Sequence, residues 1–229
     1  MVERVFQHPA KGLFITLEGG EGSGKSTQLR YLRERLKRRN VPVTILREPG
    51  GTPLGNRLRW LLKFSPAPLT PEAELLLFNA SRAQLVADVI RPALERGEVV
   101  LCDRFSDSTL AYQGYGRGIP LAQVEAVNRV ATIGLKPALT ILLDLSPEEG
   151  MRRRFSARDR FERGFEQKDV TDFHRRVHQG YLELAKREPE RWVVIDARQS
   201  PRQVARLIWQ RVEPLLEQMG LKRGASKSQ

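Results

Sequence analysis

Strands alternating with helices predict an α/β fold of three layers, a five-stranded parallel sheet with helices on both faces. Two observations carry this. Five apolar runs, each four to seven residues long, read as strands buried on both faces, and each is separated from the next by a helical segment. No internal repeat or low-complexity linker interrupts the alternation, so residues 1–219 read as one domain and 220–229 as a polar tail. In such a sheet, crossovers are right-handed and ligands bind at the carboxyl ends of the strands.

The elements follow in order. Leu13–Leu17 is the first strand and opens into a glycine-rich turn, Gly19–Gly24. From Ser26 a helix takes over: Leu29, Leu32 and Leu36 recur at helical spacing, with Arg30, Arg33, Arg35 and Lys37 on the other faces, and Asn40 and Pro42 stop it. Val43–Leu46 is the second strand, and Glu48-Pro49-Gly50-Gly51 is a loop. Leu54–Leu62 is helical. After a loop marked by Pro66 and Pro68, Thr70 caps a helix with Pro71 at its first position and Glu72 and Glu74 matching its dipole; it runs past Arg82 towards Ile90. Val99–Cys102 is a buried strand, Cys102 included, ending at Asp103, and a polar, glycine-rich stretch follows to Gly118. Leu121–Ala131 is a helix, Leu139–Leu145 the fourth strand, and Pro147–Arg154 a helix entering an arginine-rich segment. Val170–Lys186 is a helix on whose polar side His174 and His178 are expected to face solvent. Trp192–Ile195 is the fifth strand and Pro201–Met219 the closing helix.

Composition narrows the class. With 229 residues, 40% hydrophobic and 29% charged, the chain is in the globular range and long enough to bury a core. A single cysteine excludes an intrachain disulfide and fits a reducing compartment. Met1–Lys11 lacks the continuous apolar core of a signal peptide, and no run approaches the roughly 18–20 apolar residues of a membrane span. A cytoplasmic protein is expected. The net charge of +12 points to phosphate. Residues 1–150 carry 20 basic and 16 acidic side chains, residues 151–229 carry 19 and 11, and Arg152–Arg163 alone holds six arginines.

Gly19-Gly20-Glu21-Gly22-Ser23-Gly24-Lys25-Ser26 fits G-x-x-x-x-G-K-S between a strand and a helix, the context the motif requires. Its amides form an anion nest and the helix N-terminus adds its dipole. Lys25 is expected at the β- and γ-phosphates of ATP, the Ser26 hydroxyl on Mg²⁺, and Thr27 beside it. Asp103, directly after a strand, is a second candidate for Mg²⁺; Asp144 after the fourth strand is a rival, read as structural. Arg104 beside Asp103 is a candidate phosphate ligand.

At this point the chain resembles the bacterial thymidylate kinases, within the nucleoside monophosphate kinases of the P-loop group. The residues that carry the resemblance are Lys25-Ser26-Thr27, Arg47-Glu48-Pro49-Gly50-Gly51-Thr52, Phe78 with Arg82, Asp103-Arg104-Phe105, and Ala111 through Gly118, in family order over most of Leu13–Ile195. The resemblance implies transfer of the γ-phosphate of ATP to dTMP with Mg²⁺, and a homodimer. It implies that Phe78 stacks on thymine while Arg82 donates to a base oxygen. The two lie four apart, on one helical face. The resemblance further implies that Arg47 and Arg104 hold the acceptor phosphate, that Glu48 and Pro49 lie in the loop shaping its site, that Thr109 and Gln113 bond the base edge, and that Tyr112 packs on the sugar. The Glu48–Pro49 bond could be cis or trans.

Phosphoryl transfer develops negative charge that a mobile arginine can neutralise, worth roughly 10³–10⁵ in rate. The glycine loop here holds Glu21 and no arginine, and family members of this kind supply theirs from a lid after the fourth strand. The arginine-rich segment, about residues 152–168, is where that lid falls. Arg160 in Asp159-Arg160-Phe161-Glu162 is the favoured catalytic arginine, with Arg154, Arg158 and Arg163 as rivals. Two alternatives remain: a kinase of another nucleoside monophosphate or a nucleoside, against which Phe78, Arg82, Tyr112 and Gln113 count, and a nucleic-acid binder, which lacks an aromatic-interleaved basic surface.

Overall fold

The structure, a computed structural model, describes residues 12–154 and 167–220, the backbone alone for residues 154 and 167–171. Five parallel strands stand in the order β2-β3-β1-β4-β5: β1 Leu13–Glu18, β2 Val43–Arg47, β3 Val99–Asp103, β4 Leu139–Asp144 and β5 Trp192–Asp196. The long helices are α1 Lys25–Lys37, α2 Pro53–Phe64, α3 Pro71–Leu85, α6 Leu121–Thr132, α8 Gln167–Arg187 and α9 Pro201–Gln218; shorter ones are α4 Arg91–Glu95, α5 Ser106–Thr109 and α7 Pro147–Arg154. Among the described residues no helix is long and apolar enough to cross a membrane.

Alternation along β1 sets the layers. Leu13, Ile15 and Leu17 pack with Leu29, Leu32 and Leu36 of α1 and Ile208, Trp209 and Val212 of α9 on one face. Phe14 points the other way, into a cluster with Leu85, Ile90 and Phe105, while Leu142 of β4 meets Val177 and Tyr181 of α8. Burying each such side chain contributes about 1.5–3 kcal/mol. Glu18 shares the parity of Phe14 and so enters the second face, fully buried.

Four strands run one residue further than their apolar runs, because the ladder takes in the polar residue at the carboxyl end: Glu18, Arg47, Asp103 and Asp196. The P-loop helix starts at Lys25, one residue early. The helix from Thr70 continues through a π-helical stretch, Val86–Ile90, into α4. The largest departure is the glycine-rich stretch after Asp103, which is helical: α5 passes into a π-helical segment, Leu110–Gly116. Its glycines serve packing. A Cβ on Gly114 would lie 2.5 Å from Leu121 Cδ2, and one on Gly116 2.6 Å from Phe173 Cε2.

Cys102 is buried in β3 as expected. His178 is not solvent-facing: its Nε2 lies 2.6 Å from Asp144 Oδ1, tying α8 to the end of β4. His174 is likewise half-buried, its ring against Tyr112 and Phe173.

Candidate active site

The loop Gly19–Gly24 turns at the end of β1 and delivers its amides to α1, whose first turn carries no acidic residue to compete with an anion. Gly22 has φ +69°, and a Cβ there would sit 2.3 Å from the Gly150 carbonyl oxygen. Only glycine fits that conformation and that approach. Lys25 Nζ donates to the carbonyls of Gly19 at 2.9 Å and Gly20 at 2.8 Å. Burial, then the charge of Arg104, pulls the Lys25 ammonium down to about 8, against the opposing pull of Asp103 and Glu21.

One cleft of about 560 Å³ opens at the carboxyl ends of β1, β2 and β3. It is lined by Glu21, Gly22, Ser23, Gly24, Lys25, Ser26 and Thr27 on one side and by Arg47, Glu48, Pro49, Phe78, Arg82, Asp103, Arg104, Thr109, Tyr112 and Gln113 on the other. Thus every described residue given an ATP, acceptor or catalytic role in the sequence lines it except Gly19 and Gly20, which sit behind Lys25, while Asp144, the rival to Asp103, lies outside it against His178. Arg158, Arg160 and Arg163 lie outside the described residues, as does the Arg154 side chain.

Arg82 is 1% exposed and donates around its whole guanidinium: Nε to Glu48 Oε2 at 2.8 Å, Nη1 to Asn79 at 3.1 Å and Asn128 at 3.0 Å, Nη2 to the Phe105 carbonyl at 3.2 Å and Thr109 Oγ1 at 2.8 Å. All five N–H groups have protein acceptors, so Arg82 acts here as the joint between the Glu48–Pro49 loop, α3 and α5. The Glu48–Pro49 bond is cis. Gln113 Nε2 donates to Glu74 at 2.7 Å, which fixes the amide at the cleft.

Asp103 is buried, and its Oδ1 finds no hydrogen-bond partner among the described residues. A buried carboxylate oxygen left open, with the Ser26 hydroxyl in the same cleft, suits a hard cation that keeps water and phosphate as its other ligands. The described residues contain no cluster of three or more His, Cys, Asp or Glu that could hold a metal, so an all-protein cage is not on offer.

Several cleft residues were not anticipated. Arg59 of α2 donates to the Pro49 carbonyl at 3.1 Å, and burial followed by the charge of Arg47 lowers its pKa. Arg153 donates to the Ala197 carbonyl at 3.0 Å. Glu18, below the cleft floor, accepts from the Phe105 N–H at 2.8 Å, Ser108 Oγ at 2.5 Å and Tyr181 Oη at 3.0 Å. Burial, and secondarily the charge of Asp107, pushes its carboxyl up to about 7. Arg104 stands over this group. Its Nη1 reaches Tyr181 Oη at 3.2 Å and Ser108 Oγ at 3.4 Å, its Nη2 reaches Glu21 at 3.4 Å, and its guanidinium lies 4.8 Å from the Tyr112 ring centroid.

A phosphate loop facing an arginine-lined second compartment across one cleft defines a P-loop phosphotransferase. Comparison with known proteins narrows the class. The family model described as thymidylate kinase matches residues 17–208, and the chain belongs to the thymidylate kinase family. It is 52% identical over 200 residues to a thymidylate kinase of Deinococcus radiodurans, covering 87% of this chain and 96% of that one. It is 55% identical over 204 residues to one from Synechococcus sp. strain JA-3-3Ab, covering 89% and 97%. The crystal structure of thymidylate kinase from Ehrlichia chaffeensis superposes with a TM-score of 0.71 at 34% identity, covering 88% of this chain and 98% of that one.

Proposed function

We propose that this chain transfers the γ-phosphoryl group of ATP to dTMP, giving dTDP and ADP by direct in-line displacement, in the cytoplasm. The observation that carries the reading is the single cleft in which the phosphate loop and Lys25 face Arg47, Arg104 and Phe78. The loop amides and Lys25 hold the β- and γ-phosphates. Arg104 and Arg47 hold the acceptor phosphate, where guanidinium forks match its oxygens. Phe78 stacks on the base, Thr109 and Gln113 meet its edge, and Tyr112 packs on the sugar. Arg82 contributes by holding Thr109 and Glu48, since its own donors are engaged. Glu48 and Pro49 shape the acceptor pocket.

Ser26 and Asp103 are the residues that would hold Mg²⁺, which when bound neutralises charge on the transferring phosphates. Positioning and charge neutralisation do the remaining work, with no covalent enzyme intermediate. The catalytic arginine is proposed in the lid, about residues 152–168, with Arg160 first and Arg154, Arg158 and Arg163 as rivals. The proposed domain is 1–219. A homodimer is proposed on family membership and on the exposed apolar side chains Leu54, Trp60 and Phe64 of α2 and Leu76 of α3.

The test follows the label. With γ-labelled ATP, Mg²⁺ and dTMP, label should move to dTDP in step with ADP release. Label appearing on the protein, or released as phosphate regardless of dTMP, would refute direct transfer.

A further inference from the structure

We infer that Glu18 is a positioning residue for acceptor binding. Its carboxylate holds the Phe105 N–H on one oxygen and the Ser108 and Tyr181 hydroxyls on the other, fixing Arg104 in the conformation from which its guanidinium reaches the acceptor phosphate. The inference rests on the reading of Arg104 as a phosphate ligand given above.

Arg104 has φ +70°, in the left-handed region that a non-glycine residue occupies only when its surroundings over-determine it. Two bonds do so here. The Arg104 N–H donates to the Leu17 carbonyl at 3.0 Å, and the next amide, Phe105 N–H, donates to Glu18 Oε1 at 2.8 Å. Adjacent residues of β1 therefore clamp adjacent residues after β3. The first bond continues the sheet ladder. The second depends on a side chain.

The side chains are arranged to the same end. Arg104 Nη1 rests on the two hydroxyls that themselves bond Glu18 Oε2, and these lie 2.7 Å from each other. The guanidinium donates to both hydroxyls; Ser108 donates to Glu18 Oε2, and Tyr181 shares its one proton between Ser108 Oγ and Glu18 Oε2. Glu18 immediately precedes Gly19, Ser108 is on α5, and Tyr181 is on α8, the helix that follows the arginine-rich segment. One buried carboxylate thus joins the donor loop, the acceptor-phosphate arginine and the helix beyond the lid. Glu18 accepts from one amide and two hydroxyls at once, so its role here is that of a hydrogen-bond hub.

The experiment compares dTMP with thymidine, which lacks the phosphate, by titration calorimetry on the full chain, with steady-state kinetics in parallel. Arg104→Ala should weaken dTMP roughly tenfold or more and leave thymidine nearly unchanged. Glu18→Ala should reproduce that phosphate-selective loss, raise KM for dTMP, spare KM for ATP, and add nothing in the Arg104→Ala background. Glu18→Gln retains an acceptor for Phe105 and a partner for the hydroxyls, and should recover most of the affinity. Equal losses for dTMP and thymidine, or none, in a folded Glu18→Ala protein overturn the inference. A Glu18→Ala effect that simply adds to that of Arg104→Ala does the same. If Glu18→Ala does not fold, Ser108→Ala with Tyr181→Phe removes the oxygens between Glu18 and Arg104, and absence of a phosphate-selective loss there is equally fatal. If Arg104→Ala itself shows no phosphate selectivity, the phosphate reading falls, and this inference with it.

Discussion

Glu18 makes a thermodynamic prediction independent of its role in binding. Its carboxyl is fully buried and raised from 4.5 to about 7. Below pH 4.5 both folded and unfolded chains hold the proton, so the group contributes nothing. Between pH 4.5 and about 7 the unfolded chain releases the proton and the folded chain keeps it, so stability falls as pH rises. Above about 7 the loss is complete. At about 1.4 kcal/mol per unit, the shift corresponds to about 3 kcal/mol. Glu18→Gln cannot titrate and keeps comparable hydrogen bonds. Carboxyls held low by surface partners, such as Glu98 and Asp196, push the other way but are common to both proteins and cancel in the difference. The assay is urea denaturation at half-unit steps from pH 4 to pH 8. The unfolding free energy of Glu18→Gln minus that of wild type should rise by about 3 kcal/mol across the range, most of it between pH 4.5 and 7. A flat difference would refute the buried-carboxylate reasoning.

Three further predictions concern the cleft. Because the Lys25 ammonium is pulled down to about 8, kcat/KM for ATP should fall as pH rises through that value, and Lys25→Arg should move the break upward; an unmoved break assigns it elsewhere. Gly150→Ala would place a Cβ 2.2 Å from the Glu21 carbonyl oxygen, so the loop must shift, and kcat/KM for ATP should drop about tenfold or more in a protein whose melting temperature barely changes. Arg82→Met leaves Glu48 buried without its partner, and chemical denaturation should show a loss of about 3–5 kcal/mol; a loss under about 1 kcal/mol would show that the pair is dispensable.

What the residues alone located was contiguous, whereas Arg47, Phe78, Thr109, Tyr112 and Gln113, dispersed along the chain, were reached only through the family resemblance. The glycine loop with Lys25 and Ser26 carries its chemistry in eight neighbouring residues and sits between a strand and a helix, so spacing alone located it. Thr70 and Pro71 marked their helix start, and the Thr70 side chain does accept from the Ala73 N–H. The stretch after Asp103 was missed because Gly114, Gly116 and Gly118 read as loop residues. Two of them are there so that Leu121 and Phe173 can approach the backbone. Glu18 was invisible for a different reason: a carboxylate ending an apolar strand looks like the start of a loop, and its partners Ser108 and Tyr181 lie 90 and 163 residues away. His178 was misplaced likewise, since only the fold brings Asp144 to it.

The central claim is that the arginine-lined half of the cleft accepts the phosphate of a thymine deoxynucleotide. The direct measurement is kcat/KM for dTMP, dUMP, UMP, CMP and thymidine with saturating Mg²⁺ and ATP, following each phosphorylated product. The account predicts that dTMP is preferred over every other acceptor, with UMP and CMP poor and thymidine inert. Equal or better turnover of dUMP, UMP, CMP or thymidine would contradict it.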